Sequence, residues 1–167
     1  MTDRAIDTKR QVLRPIHLAE LDALHALWIL PEVRRWLFDD EVISLDVARE
    51  LVARSDATAQ RGLGHWSIRT KERGVLLGSA ALQPTEDDQV ELIYLLHPDH
   101  WGQGYATEAA AALLAHAFGT AGLDRVVAQA DRPNTGSVEV MKRLGMTFDR
   151  ELDGPKHPLV QYAISAA

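Results

Sequence analysis

The sequence predicts an α/β fold in which a mixed, mostly antiparallel sheet of about seven strands is flanked by about four helices. The first reason is the order of the segments, which runs strand, two helices, three strands, helix, strand, helix, two strands. The second is a hairpin in the middle of the chain, which requires antiparallel pairing. The third is a strand–helix–strand unit over residues 89–130, which should form a parallel, right-handed crossover.

The first half of the chain begins with one strand and continues as helix. Residues 11–14 form a short strand candidate that Pro15 ends. Residues 18–30 place apolar side chains at the spacing of an amphipathic helix, and Pro31 should end that helix or begin a short turn. A second helix should open at Ser44, whose side chain is suited to be its N-cap.

The middle of the chain is predicted to be β-structure followed by a long helix. Residues 65–70 and 75–83 have the pattern of a hairpin about a turn at residues 71–74. Residues 89–96 form the third strand of this region. Residues 107–118 are rich in alanine and therefore strongly favour a helix.

The last quarter of the chain contains three predicted strands and one helix. Residues 125–130 should form a strand, and residues 135–144 a short helix with Gly145 as its C-cap. Residues 148–152 and 159–164 complete the sheet.

Length and composition fit a single domain spanning residues 1–167, in which residues 1–9 are expected to be flexible. The absence of cysteine excludes disulfides, thiolate nucleophiles and a covalent acyl-cysteine. The net charge of -6 argues against nucleic-acid binding, which needs a basic surface. No apolar run has the length of a transmembrane helix and the N-terminus is polar. We therefore expect a cytoplasmic monomer or homodimer with no membrane partner.

Two glycines, Gly102 and Gly104, lie where the strand at residues 89–96 passes into the alanine-rich helix. Glycines let an anion approach the backbone, and the first amides of a helix lack helical partners and lie at the positive end of its dipole. The segment is therefore a candidate diphosphate site, with a plain tight turn as the alternative. A P-loop is excluded because Ala106-Thr107 stands where it needs Lys-Ser or Lys-Thr. A dinucleotide-binding loop is disfavoured because Thr107 replaces its third glycine and the motif follows a hairpin.

Residues 90–109, which read VELIYLLHPDHWGQGYATEA, resemble the core of the GNAT superfamily of N-acetyltransferases. More narrowly, they resemble its ribosomal-protein-alanine N-acetyltransferase (RimJ/RimL-like) branch. Residues 132–138 and 142–146 are similar to the second signature of that branch. The resemblance covers residues 10–165 and implies the GNAT fold.

The resemblance also implies that acetyl-CoA is a co-substrate. Gly104 and Ala106 match the family's acetyl-CoA motif, whereas Trp101 stands where other members have Arg or Gln. The resemblance implies that backbone amides of residues 102–107 bind the pyrophosphate. It also implies that backbone groups near Leu95 and Leu96 pair with the pantetheine arm as with an added strand. The residues that it implies for cofactor binding are Leu95, Leu96, Trp101, Gly102, Gln103, Gly104, Tyr105, Ala106, Thr107 and Asn134.

Two residues are candidates for proton transfer. Glu91 is the candidate general base because it lies in an otherwise apolar strand, where partial burial raises the pKa of a carboxyl group. A solvent-facing glutamate is the alternative. The resemblance implies that Asn134 hydrogen-bonds pantetheine and that Ser137 lies near the sulfur of CoA as a proton donor or a stabiliser of the thiolate. Helix capping is the alternative for both residues. Many relatives carry a general-acid Tyr where this chain has Met141, so a water is the other candidate donor.

Aromatic side chains are the candidates for the acceptor pocket. The resemblance implies that the loop between the first two helices and the first hairpin flank the acceptor. The aromatic residues there are Trp36, Phe38 and Trp66, for which a place in the core is the alternative. Asp39 and Asp40 would receive a cationic acceptor or be solvated, and Tyr94 and Tyr162 are interpreted as core or pocket walls. The seven histidines show no metal-ligand spacing, so no metal is expected.

The resemblance and these residues together imply an N-acetyltransferase that moves the acetyl group from acetyl-CoA directly to a primary amine by general-base catalysis. The acceptor is expected to be a protein N-terminus or a small amine, and no covalent enzyme intermediate is expected. The alternative is a non-catalytic acyl-CoA-binding or regulatory module on the same fold. A nicotinamide enzyme is a third hypothesis.

Overall fold

A computed structural model describes residues 4–167, and within them eight strands form one sheet in the order β1-β2-β3-β4-β5-β6-β8-β7. The strands are β1 (Ile6–Asp7), β2 (Gln11–Pro15), β3 (Gly64–Thr70), β4 (Leu76–Pro84), β5 (Val90–Leu96), β6 (Arg125–Asp131), β7 (Thr147–Leu152) and β8 (Leu159–Ser165). The α-helices are α1 (Leu21–Trp28), α2 (Pro31–Arg34), α3 (Leu45–Thr58), α4 (Tyr105–Gly119) and α5 (Thr135–Arg143). No helix in this part of the chain is long and apolar enough to cross a membrane.

The pairing of the strands confirms a mixed and mostly antiparallel sheet. Every neighbouring pair is antiparallel except β5 and β6, which pair in parallel through Glu91 and Val127. β5, α4 and β6 are the strand–helix–strand unit predicted for residues 89–130. Its two strands pair in parallel, so the predicted direction is confirmed. The predicted hairpin is also confirmed, since β3 and β4 pair antiparallel along their length.

The two faces of the sheet carry different helices, and each face has its own apolar cluster. On one face α4 and α5 pack, and the buried Ala109, Ala110 and Ala117 let α4 lie close to the strands. On the other face α1 and α3 pack around the fully buried Leu24 and Val52. The sheet therefore separates two compartments, and a cleft that crosses it can be reached from both.

β5 lies near the middle of the sheet and serves both faces. Leu92 and Leu96 belong to the cluster under α4, together with the ring of Tyr94. Leu95 packs on the cluster under α1 and α3. By alternation Glu91 lies on the same face as Leu95. Glu91 and Tyr94 are thus directed toward opposite faces of the sheet.

The structure adds two short elements to those that the sequence predicted. β1 lies within residues 1–9, where the sequence predicted no strand, because two residues are too few to show a periodic pattern. α2 begins at Pro31, a residue favoured in the first turn of a helix because its missing N–H has no helical partner there. The N-cap prediction is confirmed, since Ser44 Oγ accepts a hydrogen bond from the Val47 N–H at 3.2 Å.

Candidate active site

A cleft of about 770 Å³ opens where β5 and β6 separate. In the described residues these strands pair only at Glu91 and Val127, and beyond that pair both of them line the cleft. Its other walls are residues 101, 102 and 104–107, the start of α5, and α2 with the loop that follows it. Because α2 and α5 lie on opposite faces of the sheet, the cleft passes through the sheet.

The turn between β5 and α4 forms a cradle of backbone amides, defined here as residues 102–107. Gly102 and Gly104 have φ angles of +73° and +80°, in the left-handed region that strains any residue with a Cβ. α4 begins at Tyr105, two residues before the predicted start, and its N-cap Gly104 has no side chain to accept hydrogen bonds. The Glu108 N–H bonds to the Gly104 carbonyl at 3.1 Å, so the amides before Glu108 precede the helical ladder. They carry the positive potential of a helix N-terminus.

Trp101 and Gln103 flank the cradle in different ways. Trp101 lines the cleft, and its Nε1 donates to the Leu96 carbonyl at 2.9 Å, which ties the turn to the end of β5. Gln103 was predicted among the cofactor-binding residues, but its side chain does not line the cleft. Instead Gln103 Nε2 donates to the Asp99 carbonyl at 3.4 Å, and its own carbonyl accepts from Arg10 Nη1 at 3.0 Å. The contribution of Gln103 is therefore its backbone.

Glu91 lies on the wall of the cleft beside the point where β5 and β6 separate. Burial raises the pKa of Glu91 to about 6, and a hydrogen bond with Gln83 partly offsets that effect. Gln83 stands opposite Glu91 in the antiparallel register of β4 and β5. A carboxylate with this pKa is mostly ionised at neutral pH and is a stronger base than an exposed glutamate. Glu91 thus has the burial and the position that a general base requires.

Ser137 is held by Tyr94, for which the sequence predicts only a place in the core or in a pocket wall. Tyr94 Oη donates to the Ser137 carbonyl at 2.8 Å and lies 3.0 Å from Ser137 Oγ. Burial raises the pKa of Tyr94 to about 12, while the hydrogen bond with Ser137 opposes the shift, so the phenol stays protonated at neutral pH. A buried tyrosine needs a polar partner for its hydroxyl, which is the signal that could have singled out Tyr94.

Asn134 and Ser137 are close together at the start of α5. Asn134 is the N-cap, and its Oδ1 accepts from the Ser137 N–H at 3.3 Å. Both residues also line the cleft. Capping and ligand contact are therefore compatible. Met141, one turn further along, is buried in the core and offers no polar group.

The three aromatic residues predicted for the acceptor pocket have three different places. Trp36 lines the cleft. The prediction for Trp66 is wrong, because Trp66 is fully buried under α4, where its Nε1 donates to the Arg4 carbonyl at 3.2 Å. Phe38 does not line the cleft either, since its ring packs on Trp28 with the ring centroids 6.3 Å apart. Contacts with residues far away in the sequence determine where both side chains lie, and the local sequence does not reveal such contacts.

Two loops meet beside Trp36, on the side of the cleft that α2 lines. Trp36 packs on His157 with ring centroids 6.3 Å apart, and Asp40 bonds with Lys156 at 3.5 Å. Asp40 is also bonded to Arg34 at 2.7 Å. The residues from 38 to 40 all have positive φ angles although none is glycine. Such a backbone persists only where surrounding contacts hold it, as the bonds of Asp40 do here.

A model of the GNAT acetyltransferase domain matches residues 10–147. The chain belongs to the GNAT acetyltransferase family. This GNAT acetyltransferase is 28% identical over 147 residues to the uncharacterized N-acetyltransferase p20 of Bacillus licheniformis, a match that covers 86% of this chain and 82% of the relative. Members of the family are acyltransferases that use acetyl-CoA.

Solved structures agree with the assignment to GNAT. An acetyltransferase from Agrobacterium tumefaciens str. C58 superposes with a TM-score of 0.85 at 26% identity, covering 99% of this chain and 96% of that one. RimL, a ribosomal L7/L12 α-N-protein acetyltransferase in complex with coenzyme A, superposes with a TM-score of 0.83 at 21% identity, covering 96% and 97%. The predicted fold is thereby confirmed, with RimL-like proteins among its structural neighbours.

The GNAT cleft also contains charged groups that no sequence pattern singles out. Glu32 on α2 and both Glu139 and Arg143 on α5 line it. Charged residues on a helix are ordinarily solvated, so periodicity alone gives no reason to select them. Within residues 4–167 no group of three or more His, Asp or Glu side chains is arranged to hold a metal ion.

Proposed function

We propose that this acetyltransferase moves the acetyl group of acetyl-CoA directly to a primary amine, a protein N-terminus or a small amine, with Glu91 as general base. The observation that carries the proposal is the cleft that crosses the sheet. At one end it has the uncapped amides of the cradle, and at the other face it has a carboxylate whose pKa is raised to about 6. Donor and acceptor can therefore meet in one cavity from opposite faces.

The residues of the cleft fit the chemical groups of acetyl-CoA. A Cβ on Gly102 would have no atom within 4 Å, so an anion has room to approach the amides of the cradle. The edge of β5 beyond Glu91 offers backbone groups to an extended arm of amides. The His97 N–H bonds to the Leu77 carbonyl, so by alternation the backbone groups of Leu95 are directed at β4 and those of Tyr94 and Leu96 at the cleft. Because Trp101 already bonds to the Leu96 carbonyl, we assign the arm to the remaining backbone groups of Tyr94 and Leu96. Acetyl-CoA, when bound, supplies an acetyl thioester activated for attack by an amine.

Glu91 takes the proton that an amine must lose before it can attack. Alkyl amines are mostly protonated to ammonium at neutral pH, and only the neutral amine is a nucleophile. With its pKa raised to about 6, the Glu91 carboxylate is ionised at pH 7 and still basic enough to receive that proton. The chain has no cysteine to carry the acetyl group, which supports a direct transfer.

Ser137 Oγ is assigned as the proton donor to the departing sulfur. Tyr94 Oη donates to the Ser137 carbonyl, which leaves the Ser137 hydroxyl proton able to point at Tyr94 Oη or into the cleft. The N-terminus of α5 adds positive potential that stabilises a thiolate near it. Tyr94 holds Ser137 in position and keeps its own proton, because its pKa is raised to about 12.

The proposed acceptor is an amine at the end of a flexible chain. RimL, which has the same fold, is named as an α-N-protein acetyltransferase, and this supports a protein N-terminus as the first acceptor to test. Trp36 and Glu32 line the acceptor side of the cleft, where an aromatic ring and a carboxylate suit a cationic group. A small amine such as a polyamine carries the same cation and is the second acceptor to test.

A thiol-release assay with acetyl-CoA tests the proposal over a panel of peptide N-termini, polyamines and aminoglycosides. We expect release to depend on the amine and calorimetry to show binding of acetyl-CoA but not of NAD. Binding of acetyl-CoA without release on any amine would instead favour a non-catalytic acyl-CoA-binding module. Binding of NAD in place of acetyl-CoA would overturn the assignment of the cradle.

A further inference from the structure

Arg10, in the turn between β1 and β2, lies against the back of the cradle although it is more than 90 residues away in sequence. Its Nε donates to Glu108 Oε2 at 2.7 Å and its Nη1 to the Gln103 carbonyl at 3.0 Å. Its guanidinium lies over the ring of Tyr105, 4.3 Å from the ring centroid. A Cβ placed on Gly104 would be 3.5 Å from Arg10 Nη2. The Arg10 side chain thus contacts both the cradle and the first turn of α4.

Glu108 explains why a cation is needed at this place. It lies in the first turn of α4, directly after the cradle. A carboxylate there stabilises the helix, but it also opposes a second anion bound to the same amides. Glu108 is held ionised, because hydrogen bonds from Thr8 and Arg10 outweigh its partial burial and lower the pKa of its carboxyl group. Without a counter-ion, this charge would weaken a diphosphate site.

We infer that Arg10 is a positioning residue for the donor: it neutralises Glu108 and holds the Gln103–Tyr105 backbone, so that the cradle presents its amides to the phosphates of acetyl-CoA. This inference rests on the proposed function, in which the cradle binds the diphosphate. No Lys or Arg occurs from residue 101 to 107, so the compensating charge comes from the N-terminal hairpin. Thr8 supports the same carboxylate, since its Oγ1 donates to Glu108 Oε1 at 2.7 Å.

A second ion pair provides a control that distinguishes this role of Arg10 from a general contribution to stability. Arg69 on β3 bonds to Glu20 at 2.7 Å, the same distance as in the Arg10–Glu108 pair. Both of its side chains are mostly shielded from solvent, and neither lines the cleft. Arg69→Gln is therefore a matched control that removes a comparable ion pair away from the cradle.

The test is a charge-rescue cycle on the full chain, with the Kd of acetyl-CoA from calorimetry and the Tm of each variant as readouts. We expect Arg10→Gln to raise the Kd about tenfold, because Glu108 then stands uncompensated beside the diphosphate. Glu108→Gln in the same chain should recover about threefold or more of that loss, because it removes the opposing charge. Arg69→Gln should lower the Tm without raising the Kd.

The outcomes distinguish this inference from the proposed function. If wild-type protein binds acetyl-CoA and Arg10→Gln binds it equally well, the inference is overturned and the proposed function stands. A double variant as weak as Arg10→Gln would also overturn it, since repulsion by Glu108 would then not be the cause. If the wild-type protein does not bind acetyl-CoA, both fail. Arg10→Lys keeps the charge but not the two-nitrogen contact, and we expect a Kd between those of wild type and Arg10→Gln.

Discussion

The two ends of the cleft are built in different ways. The proposed donor end consists of a strand, a two-glycine turn and a helix start, and the groups that we propose bind the donor are backbone amides at residues 102–107. The proposed acceptor end consists of side chains on loops, where Trp36 packs on His157 and Asp40 bonds with Lys156. Regular elements fix the position of backbone groups, whereas loop side chains depend on distant partners. We therefore expect changes at one end to leave recognition at the other end intact.

The largest expected effect comes from removing the proposed base, Glu91, which stands between the two ends. Glu91→Gln keeps the shape of the side chain but cannot accept a proton, so kcat should fall about 100- to 1000-fold while the Kd for acetyl-CoA stays within about twofold. Thiol-release kinetics and calorimetry measure the two quantities. Glu139→Gln is the control, because Glu139 also lines the cleft but bonds to Lys142 at 3.4 Å on an exposed helix face. Equal losses of kcat in both variants would contradict the role of Glu91.

The pH dependence sharpens the same test. Burial raises the pKa of Glu91 to about 6, so kcat/KM should fall as the pH drops below that value, and Glu91→Gln should lack this limb. Stability changes in the opposite sense. The pKa in the folded chain lies above the unfolded value, so the group's stabilisation is present at pH 4 and is lost as the pH rises through 6. Glu91→Gln should therefore gain Tm relative to wild type at pH 8 compared with pH 4.

The donor end could be predicted because its signals are local. Gly102 and Gly104, the strand before them and the alanine-rich helix after them occupy one stretch, residues 90–119, and each part has its own sequence pattern. The resemblance to GNAT proteins then named the ligand. What local patterns omit is Arg10, because only the pairing of β1 and β2 brings that residue to the cradle.

The acceptor end could not be predicted to the same depth, because distant contacts determine its side chains. Trp66 and Phe38 are aromatic, as residues of a pocket wall often are. Yet Trp66 packs under α4 and Phe38 packs on Trp28. Distant contacts also hide the proposed proton donor of the donor end, since the hydroxyl of Tyr94 finds its partner 43 residues away, at Ser137. The positive φ angles at residues 38–40 are equally hidden, since no glycine marks them.

A smaller effect is expected from straining the cradle. Gly104→Ala places a Cβ at a φ of +80°, which costs about 1–2 kcal/mol. Relaxation of that strain should turn the amides away, so the Kd for acetyl-CoA should rise about tenfold with kcat at saturation reduced less. Gly74→Ala in the β3–β4 hairpin is the control, because its φ is +65° and nothing lies within 4 Å. It should lose similar stability without a change in Kd, and a tenfold rise there too would mean that strain acts globally.

A still smaller effect is expected from freeing the proton donor. Tyr94→Phe keeps the ring in the core and removes both contacts to Ser137, so kcat should fall about fivefold, the value of one hydrogen bond. The KM for acetyl-CoA should change little. Tyr162→Phe, on β8, is the control for loss of a hydroxyl from a half-buried ring that does not line the cleft. If kcat falls in Tyr162→Phe but not in Tyr94→Phe, the result would argue against Ser137 as the proton donor.

The smallest effect should appear at the acceptor loops, and it bears most directly on the comparison. Lys156 and Asp40 are both 40–50% exposed, so their ion pair contributes little stability. Lys156→Ala nevertheless frees Asp40 Oδ2, while Oδ1 stays bonded to Arg34. The KM for a polyamine should therefore fall about twofold relative to that for a monoamine. The Kd for acetyl-CoA should not change. Lys142→Ala removes a similar exposed pair on α5 and should alter neither constant. If Lys156→Ala instead weakens acetyl-CoA, the two ends of the cleft are coupled through the sheet and cannot be treated as independent sites.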